Sequence, residues 1–262
     1  MTISAPPRPR SSAVTARSSA VTARSSAGTG HPFPVPASRS GRHPTPTAAV
    51  AHDDEASGPA SRAAHGRAKR ALDVVVAVLA LVVTVPLLVV VALLVRGSSP
   101  GPVLFRQERV GRDGRPFVLL KFRTMVVDGR PPQGALVSDR VDGGPLFKMR
   151  DDPRVTRVGR VLRRRSLDEL PQLWNILRGD MSLVGPRPAL PCEVATYDAL
   201  ARRRLEVKPG LTGAWQVGGR SDLSWSDGLA LDLDYVRRAS LAYDLRVLLA
   251  TVRVVVRPVG AY

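Results

Sequence analysis

The sequence predicts an α+β protein, mainly α, of the monotopic membrane type, with a re-entrant kinked helix, interfacial amphipathic helices and a small β-hairpin. Three observations lead there. The 22-residue run "VVVAVLALVVTVPLLVVVALLV" at 74–95 is broken only by Thr84 and Pro86. Two short segments, "PVLFRQERVG" and "RPFVLLKFRTM", flank the turn "RDG" and read as paired strands. In "DPRVTRVGRVLRRR", Val155, Val158, Val161 and Leu162 recur at helical spacing among six arginines.

Ahead of these elements, residues 1–66 are rich in Ala, Ser, Pro and Arg, and "SSAVTAR" at 11–17 repeats at 18–24. Such a stretch has too little large apolar surface to offset chain entropy and is expected to be a disordered tail. The folded, membrane-associated domain is therefore expected over 67–262. A net charge of +17 implies an anionic partner: membrane surface, phosphorylated substrate or nucleic acid. Cys192 is the single cysteine, which excludes an internal disulfide and a Cys-rich metal site. The histidines, His31, His43, His52 and His65, all fall in the expected tail. The folded part thus lacks an imidazole for a Ser-His-Asp triad or a zinc site, and its acids, bases and nucleophiles must be chiefly Asp, Glu, Lys, Tyr or Cys.

As a helix, the run 74–95 would measure roughly 33 Å, enough to cross a bilayer core. Arginine and lysine flank both ends: Arg62, Arg67, Lys69 and Arg70 before it, Arg96, Arg106, Arg109, Arg112 and Arg115 after it. Charge therefore sets no direction of crossing. Pro86, just past the midpoint, would kink the helix and free a carbonyl. A single pass and a re-entrant bend both remain open on these features. The Val/Arg run at 152–165 fits either an interfacial helix whose cations meet lipid headgroups or a surface helix packed on the core.

That run leads directly into "RRRSLDELPQLWN", residues 163–175. Ser166 and Glu169 fit a capping box, but Pro171 would then delete a needed N–H. With Asp168 as N-cap, Pro171 falls at N3, and the helix would continue to Arg178 with Gly179 as its stop. A cap at a helix N-terminus keeps its carboxylate ionised, and so does a site that prepares a nucleophile. Adjacent helical residues diverge around the axis, so Asp168 and Glu169 suit separate roles better than a shared proton.

Cations surround this dyad in the sequence. Lys121 and Arg123 alternate with Phe122 and would share one strand face. Arg187 sits between two prolines in "GDMSLVGPRP", a rigid setting for gripping phosphate. The stretch "VKPGLTGAWQVGGR" has no regular period and reads as loops carrying Lys208, Gln216 and Arg220. Arg165 adjoins the carboxylates. Each feature also has a plain reading as solvated charge or connector. Together they answer an electrostatic need, because two like charges about 4 Å apart repel by roughly 4 kcal/mol at an effective dielectric near 20. A carboxylate approaching a diphosphate must be shielded. No "GxxxxGKS" or "GxGxxG" is present to suggest a P-loop or Rossmann site.

Taken in order, "KRALDVVVAVLALVVTVPLL", "GPVLFRQERVGRDGRPFVLLKFRTM", "DPRVTRVGRVLRRRSLDELPQLWNILRGDMSLVGPRP", "VKPGLTGAWQVGGRSDLSW" and the terminal "GAY" resemble the bacterial sugar transferases, the monotopic polyprenyl-phosphate phosphoglycosyl transferases. The likeness covers roughly 67–262. It implies transfer of sugar-1-phosphate from a nucleotide diphosphate sugar, a UDP-hexose by expectation, to undecaprenyl phosphate, with release of the nucleoside monophosphate. This is a priming step of exopolysaccharide or another surface glycan, at the cytoplasmic face of the inner membrane. By the same resemblance, Asp168 is the nucleophile and forms a covalent phosphosugar, Glu169 assists the acceptor phosphate, and Mg2+ is the usual metal, held at Asp168. Partners are then the nucleotide sugar, undecaprenyl phosphate and membrane lipids, with no nucleic acid expected. A cationic, membrane-anchored protein binding nucleic acid or acidic partners is the alternative that charge alone supports. Two positions depart from the pattern. Val85 stands where the family usually has Ser, removing a hydroxyl from the kink, and Ala239 stands where an aromatic is common.

Overall fold

The computed structural model describes residues 59–127, 152–219 and 223–256. It is mainly helical, with two small sheets. Helix α1 (Pro59–Ser98) leads into the hairpin β1 (Leu104–Val110) and β2 (Pro116–Phe122). Then come α2 (Arg157–Arg164), a 3-10 turn (Leu167–Glu169), α3 (Gln172–Arg178) and β3 (Ser182–Val184). Short helices α4 (Pro191–Ala195) and α5 (Ala199–Arg202) precede β4 (Gly210–Thr212) and α6 (Ala214–Gly218). Helices α7 (Trp225–Arg238) and α8 (Leu241–Val256) close the described chain.

Helix α1 starts at Pro59, inside the stretch expected to be disordered; Ala60, Ala63 and Ala64 favour helix there, and the anchored turn that follows extends it. Residues 1–58 lie outside the described residues. One described helix is long and apolar enough to cross a membrane, Gly66–Ser98, in which an 18-residue stretch has mean hydropathy 3.2. Its two ends grip the same folded body. At the first, Lys69 pairs with Asp244 at 2.6 Å, Arg70 donates to Ile176 O and Leu177 O at 2.6 and 2.7 Å, and buried Asp73 accepts from Ser182 Oγ and Leu183 N at 3.0 and 2.9 Å. At the other, Val91 and Val95 pack with Phe122 and Leu162. There Arg123 donates to Val95 O at 3.3 Å, to Ser99 O at 2.8 Å and to Pro100 O. Between the ends, Leu79, Val82, Val83 and Val90 are exposed.

Both ends of the apolar helix are therefore held by one folded body. Pro86 is accommodated within a continuous helix. The hydroxyl missing at Val85 has a neighbour in Thr84, whose Oγ1 donates to Ala80 O at 2.6 Å, a back-bond of the kind that bends helices.

The expected hairpin forms, with Leu104 opposite Phe122 through Val110 opposite Pro116, around the turn Arg112–Gly114. Asp113 and Gly114 take left-handed φ of 57° and 77°, which Asp tolerates and Gly adopts freely. A second, parallel sheet pairs β3 with β4. It replaces the loops expected over 207–220: "GLT" is strand and "AWQVG" is helix. Gly210 is required there, since a Cβ would come 2.1 Å from Gly185 N.

Helix α2 is capped by Thr156, whose Oγ1 accepts from Gly159 N at 2.9 Å. Leu162 and Val158 pack on α1 and β2, and Val155 bridges Met125. Most of the valine stripe is therefore spent on the protein, leaving Val161 exposed between Arg157, Arg160 and Arg164. Helix α8 has two apolar faces. Tyr243 and Val247 enter the main core, while Leu241, Leu245, Leu249 and Val252 form an exposed stripe. Ala239 packs, partly buried, against that core.

Candidate active site

Asp168 is not a helix cap. Ser166 takes a left-handed φ of 55°, Leu167–Glu169 form a 3-10 turn, and α3 begins only at Gln172, after Pro171. The turn starts from Ser166 instead, with Glu169 N bonded to Ser166 O and Leu170 N to Leu167 O, and Pro171, lacking an N–H, cannot carry that run on as one helix. The stop at Gly179 is as expected, at φ 90° with its N–H bonded to Asn175 O and Ile176 O.

The turn places Asp168 on the wall of a cleft of about 1500 Å³, lined also by β1, β2, α2, α6 and α8. Its side chain is nearly enclosed, with 8 % exposure. Burial first and the neighbouring Glu169 second push its pKa up to about 6, against the pull of Lys121 and Arg163. This reverses the expectation that a helix dipole holds the group ionised. Glu169 is engaged differently: its Oε1 accepts from Lys121 Nζ at 2.6 Å. No ion pair involves Asp168 among the described residues. One carboxylate is tied to a cation and the other is left open to the cleft.

Of the cations and polar groups expected here, Lys121, Arg123, Arg165, Arg187 and Gln216 line the cleft. They are not equally free. Arg123 is buried and caps the C-terminal carbonyls of α1, so its charge serves the membrane helix. Arg187 lies 3.2 Å from Glu193. Gln216 Oε1 is buried with no hydrogen-bond partner among the described residues. Lys208 is not part of the cleft lining; it is half-buried beside Arg70 and the Gly179 turn, and burial, then Arg70 and Arg112, push its pKa down. Arg220 lies outside the described residues.

The sequence reading missed Arg109 and assigned Arg163 to the lipid. Both line the cleft, and Arg163 Nε donates to Thr124 Oγ1 at 2.9 Å. A signal for Arg109 existed. The hairpin register pairs Phe105 with Lys121 and Arg109 with Phe117, so strand alternation puts Arg109 on the sheet face that carries Lys121. The described residues include no cluster of three or more Asp, Glu, His or Cys able to hold a metal by themselves. The carboxylates on the cleft are Asp168, without an ion pair among the described residues, and Glu169, paired with Lys121.

The family model of the bacterial sugar transferases matches residues 64–258, which take in most of α1 and every residue of the cleft lining. The chain belongs to the bacterial sugar transferase family. This transferase is 44% identical over 201 residues to the exopolysaccharide production protein ExoY of Sinorhizobium fredii, covering 75% of this chain and 89% of that one. It is 44% identical over 214 residues to the UDP-glucose:undecaprenyl-phosphate glucose-1-phosphate transferase of Caulobacter vibrioides, covering 78% and 76%. It is 40% identical over 198 residues to the undecaprenyl-phosphate galactose phosphotransferase of Salmonella typhimurium, covering 74% of this chain; the transferase spans less than half of that longer protein, 41%.

Proposed function

We propose that this transferase moves sugar-1-phosphate from a nucleotide diphosphate sugar, a UDP-hexose by the names of its relatives, to undecaprenyl phosphate, as a priming step of exopolysaccharide or related glycan synthesis. The observation that carries the reading is Asp168: an unpaired carboxylate, in a cleft walled by guanidinium groups, beside a second carboxylate that a lysine holds.

In the first step an oxygen of ionised Asp168 attacks the sugar-bearing phosphorus of the donor. The bond from that phosphorus to the bridging oxygen breaks, and the nucleoside monophosphate leaves with the electron pair. In the second step an oxygen of the acceptor phosphate attacks the same phosphorus. The phosphorus–Asp168 bond breaks, regenerating the carboxylate and leaving a sugar diphosphate on the lipid. Lys121, Arg163 and Arg165 offset the repulsion between carboxylate and phosphates. Glu169, held by Lys121, receives the acceptor phosphate's proton or fixes its approach. Mg2+ would be held by Asp168 with substrate phosphate oxygens, and when bound it neutralises phosphate charge. The two-ended grip on α1 supports a cleft close to one membrane face, which in the proposed setting is the cytoplasmic face of the inner membrane.

The test is to offer purified protein and undecaprenyl phosphate a panel of UDP-sugars and to measure UMP release. At least one sugar is expected to turn over, and Asp168→Asn is expected to lose roughly 10³-fold or more of the rate. Full turnover by Asp168→Asn would overturn the assignment.

A further inference from the structure

By its place in the chain Arg109 counts among the charges that flank the membrane run. The fold turns it onto the cleft wall instead, at 8 % exposure. Its two amino nitrogens donate to Pro188 O at 2.8 Å and Gln107 Oε1 at 2.6 Å, and its Nε is buried without a hydrogen-bond partner among the described residues. Pro188 follows Arg187, and Val110 N donates to Ala189 O at 2.9 Å, so strand β1 and the Pro-Arg-Pro turn are stitched together. Arg187 reaches the same cleft and lies 3.2 Å from Oε2 of Glu193. Glu193 is 3 % exposed and also accepts from Leu190 N at 2.8 Å.

The local charge does not balance. Arg187 pairs with Glu193, while Arg109 has no ion-pair partner among the described residues, and both line the wall of an open cleft. The strain is visible in Arg109 itself, where burial and then the charge of Arg187 push the pKa down to about 10, with Glu193 and Glu169 opposing. A dianion would relieve this repulsion and match the planar donor geometry of two guanidinium groups.

We propose that Arg109 and Arg187 form a phosphate subsite and that Glu193, by competing for the same positive charge, sets its strength. The bound group is a phosphate monoester dianion. Resting on the transfer reading above, it is either the nucleoside monophosphate as it leaves the donor or the phosphate of the lipid acceptor. Arg109 and Arg187 line the same cleft as Asp168, so the subsite serves a phosphate beside the one attacked.

Glu193 makes the proposal testable in a direction that a structural role does not share. Glu193→Gln keeps an oxygen for Leu190 N and removes the charge. The full-length protein in lipid nanodiscs is titrated with inorganic phosphate by calorimetry. Glu193→Gln is expected to bind phosphate about tenfold more tightly, and Arg187→Gln and Arg109→Gln about tenfold more weakly. Arg187 is half-exposed, so its variant reports even where Arg109→Gln fails to fold. Competition by UMP, or by a prenyl phosphate in the nanodisc, identifies the source of the ligand. Unchanged or weaker phosphate binding in Glu193→Gln overturns the proposal, as does wild-type binding in Arg187→Gln. Should the expected order hold while neither UMP nor prenyl phosphate competes, the subsite stands and the transfer reading falls. Should wild type transfer sugar phosphate while Glu193→Gln binds no more tightly, the subsite alone falls.

Discussion

At the scale of single residues, the chemistry of Asp168 comes from where it is buried. Its pKa, raised from 3.8 to about 6, means that the carboxylate is less stable in the fold than in water, with the cleft walls and Glu169 responsible. The sign follows from linkage. A carboxyl whose pKa is higher in the folded than in the unfolded chain favours the folded state while protonated, and that contribution is lost as pH rises from near 4 through about 6. Asp168→Asn, which stays neutral, is therefore expected to be more stable than wild type at pH 7.5, by about 2–3 kcal/mol at most, and equal to it at pH 4. Thermal unfolding in chelator checks this, and lower stability of the variant at pH 7.5 would contradict it. The residue itself was conspicuous in the sequence, but its environment was not. Local spacing offered a cap, and only the packing of β2 and α2 around a 3-10 turn makes it a half-hidden acid. Lys208 went the other way: a Gly-rich neighbourhood suggested a site loop, and the lysine instead lies beside the turn at Gly179, off the cleft lining.

At the scale of elements, hydropathy was enough to find α1 and alternation enough to find the hairpin. Both patterns are local. The β3–β4 pair escaped detection because each strand has three residues, too few for a period to show, and because they lie 28 positions apart from Ser182 to Gly210. The route of α1 was likewise open in the sequence, where charges at both flanks cancelled as a guide. Lys69, Arg70 and Asp73 at one end and Arg123 at the other tie it to one body, and labelling of the two ends tests its route. Gly66 and Gly97 have open space around them and make suitable labelling positions. In a Cys192→Ser background, Gly66→Cys and Gly97→Cys are expected to react with an impermeant maleimide from the same side of sealed vesicles. Labelling from opposite sides would mean that the helix crosses.

Across the whole molecule, the cleft depends on an ion pair that never touches it directly. Arg204 and Asp232 are buried and lie 2.6 Å apart, and the guanidinium has the rings of Tyr197, Trp215 and Trp225 at 5.7, 5.5 and 5.5 Å. Trp215 is also a cleft residue, so the pair joins α7 and the 3-10 turn Arg203–Glu206 to the site wall. Asp232→Asn leaves a buried charge without its counter-ion and is expected to destabilise the fold by roughly 3–5 kcal/mol. Arg204→Met combined with Asp232→Leu is expected to recover much of that loss. Denaturant unfolding of the single and double variants checks both, and an Asp232→Asn protein as stable as wild type would remove the pair from this role.

The central claim, that Asp168 itself takes up the sugar phosphate, is tested most directly by trapping the intermediate. Purified protein is mixed with donor labelled in the sugar-bearing phosphate, without lipid acceptor, and the label is located by peptide mass spectrometry. The expected result is one phosphosugar adduct on the peptide containing Asp168, absent from Asp168→Asn and discharged when undecaprenyl phosphate is added. An adduct on any other residue, or none in an enzyme that still releases UMP when acceptor is supplied, would contradict it.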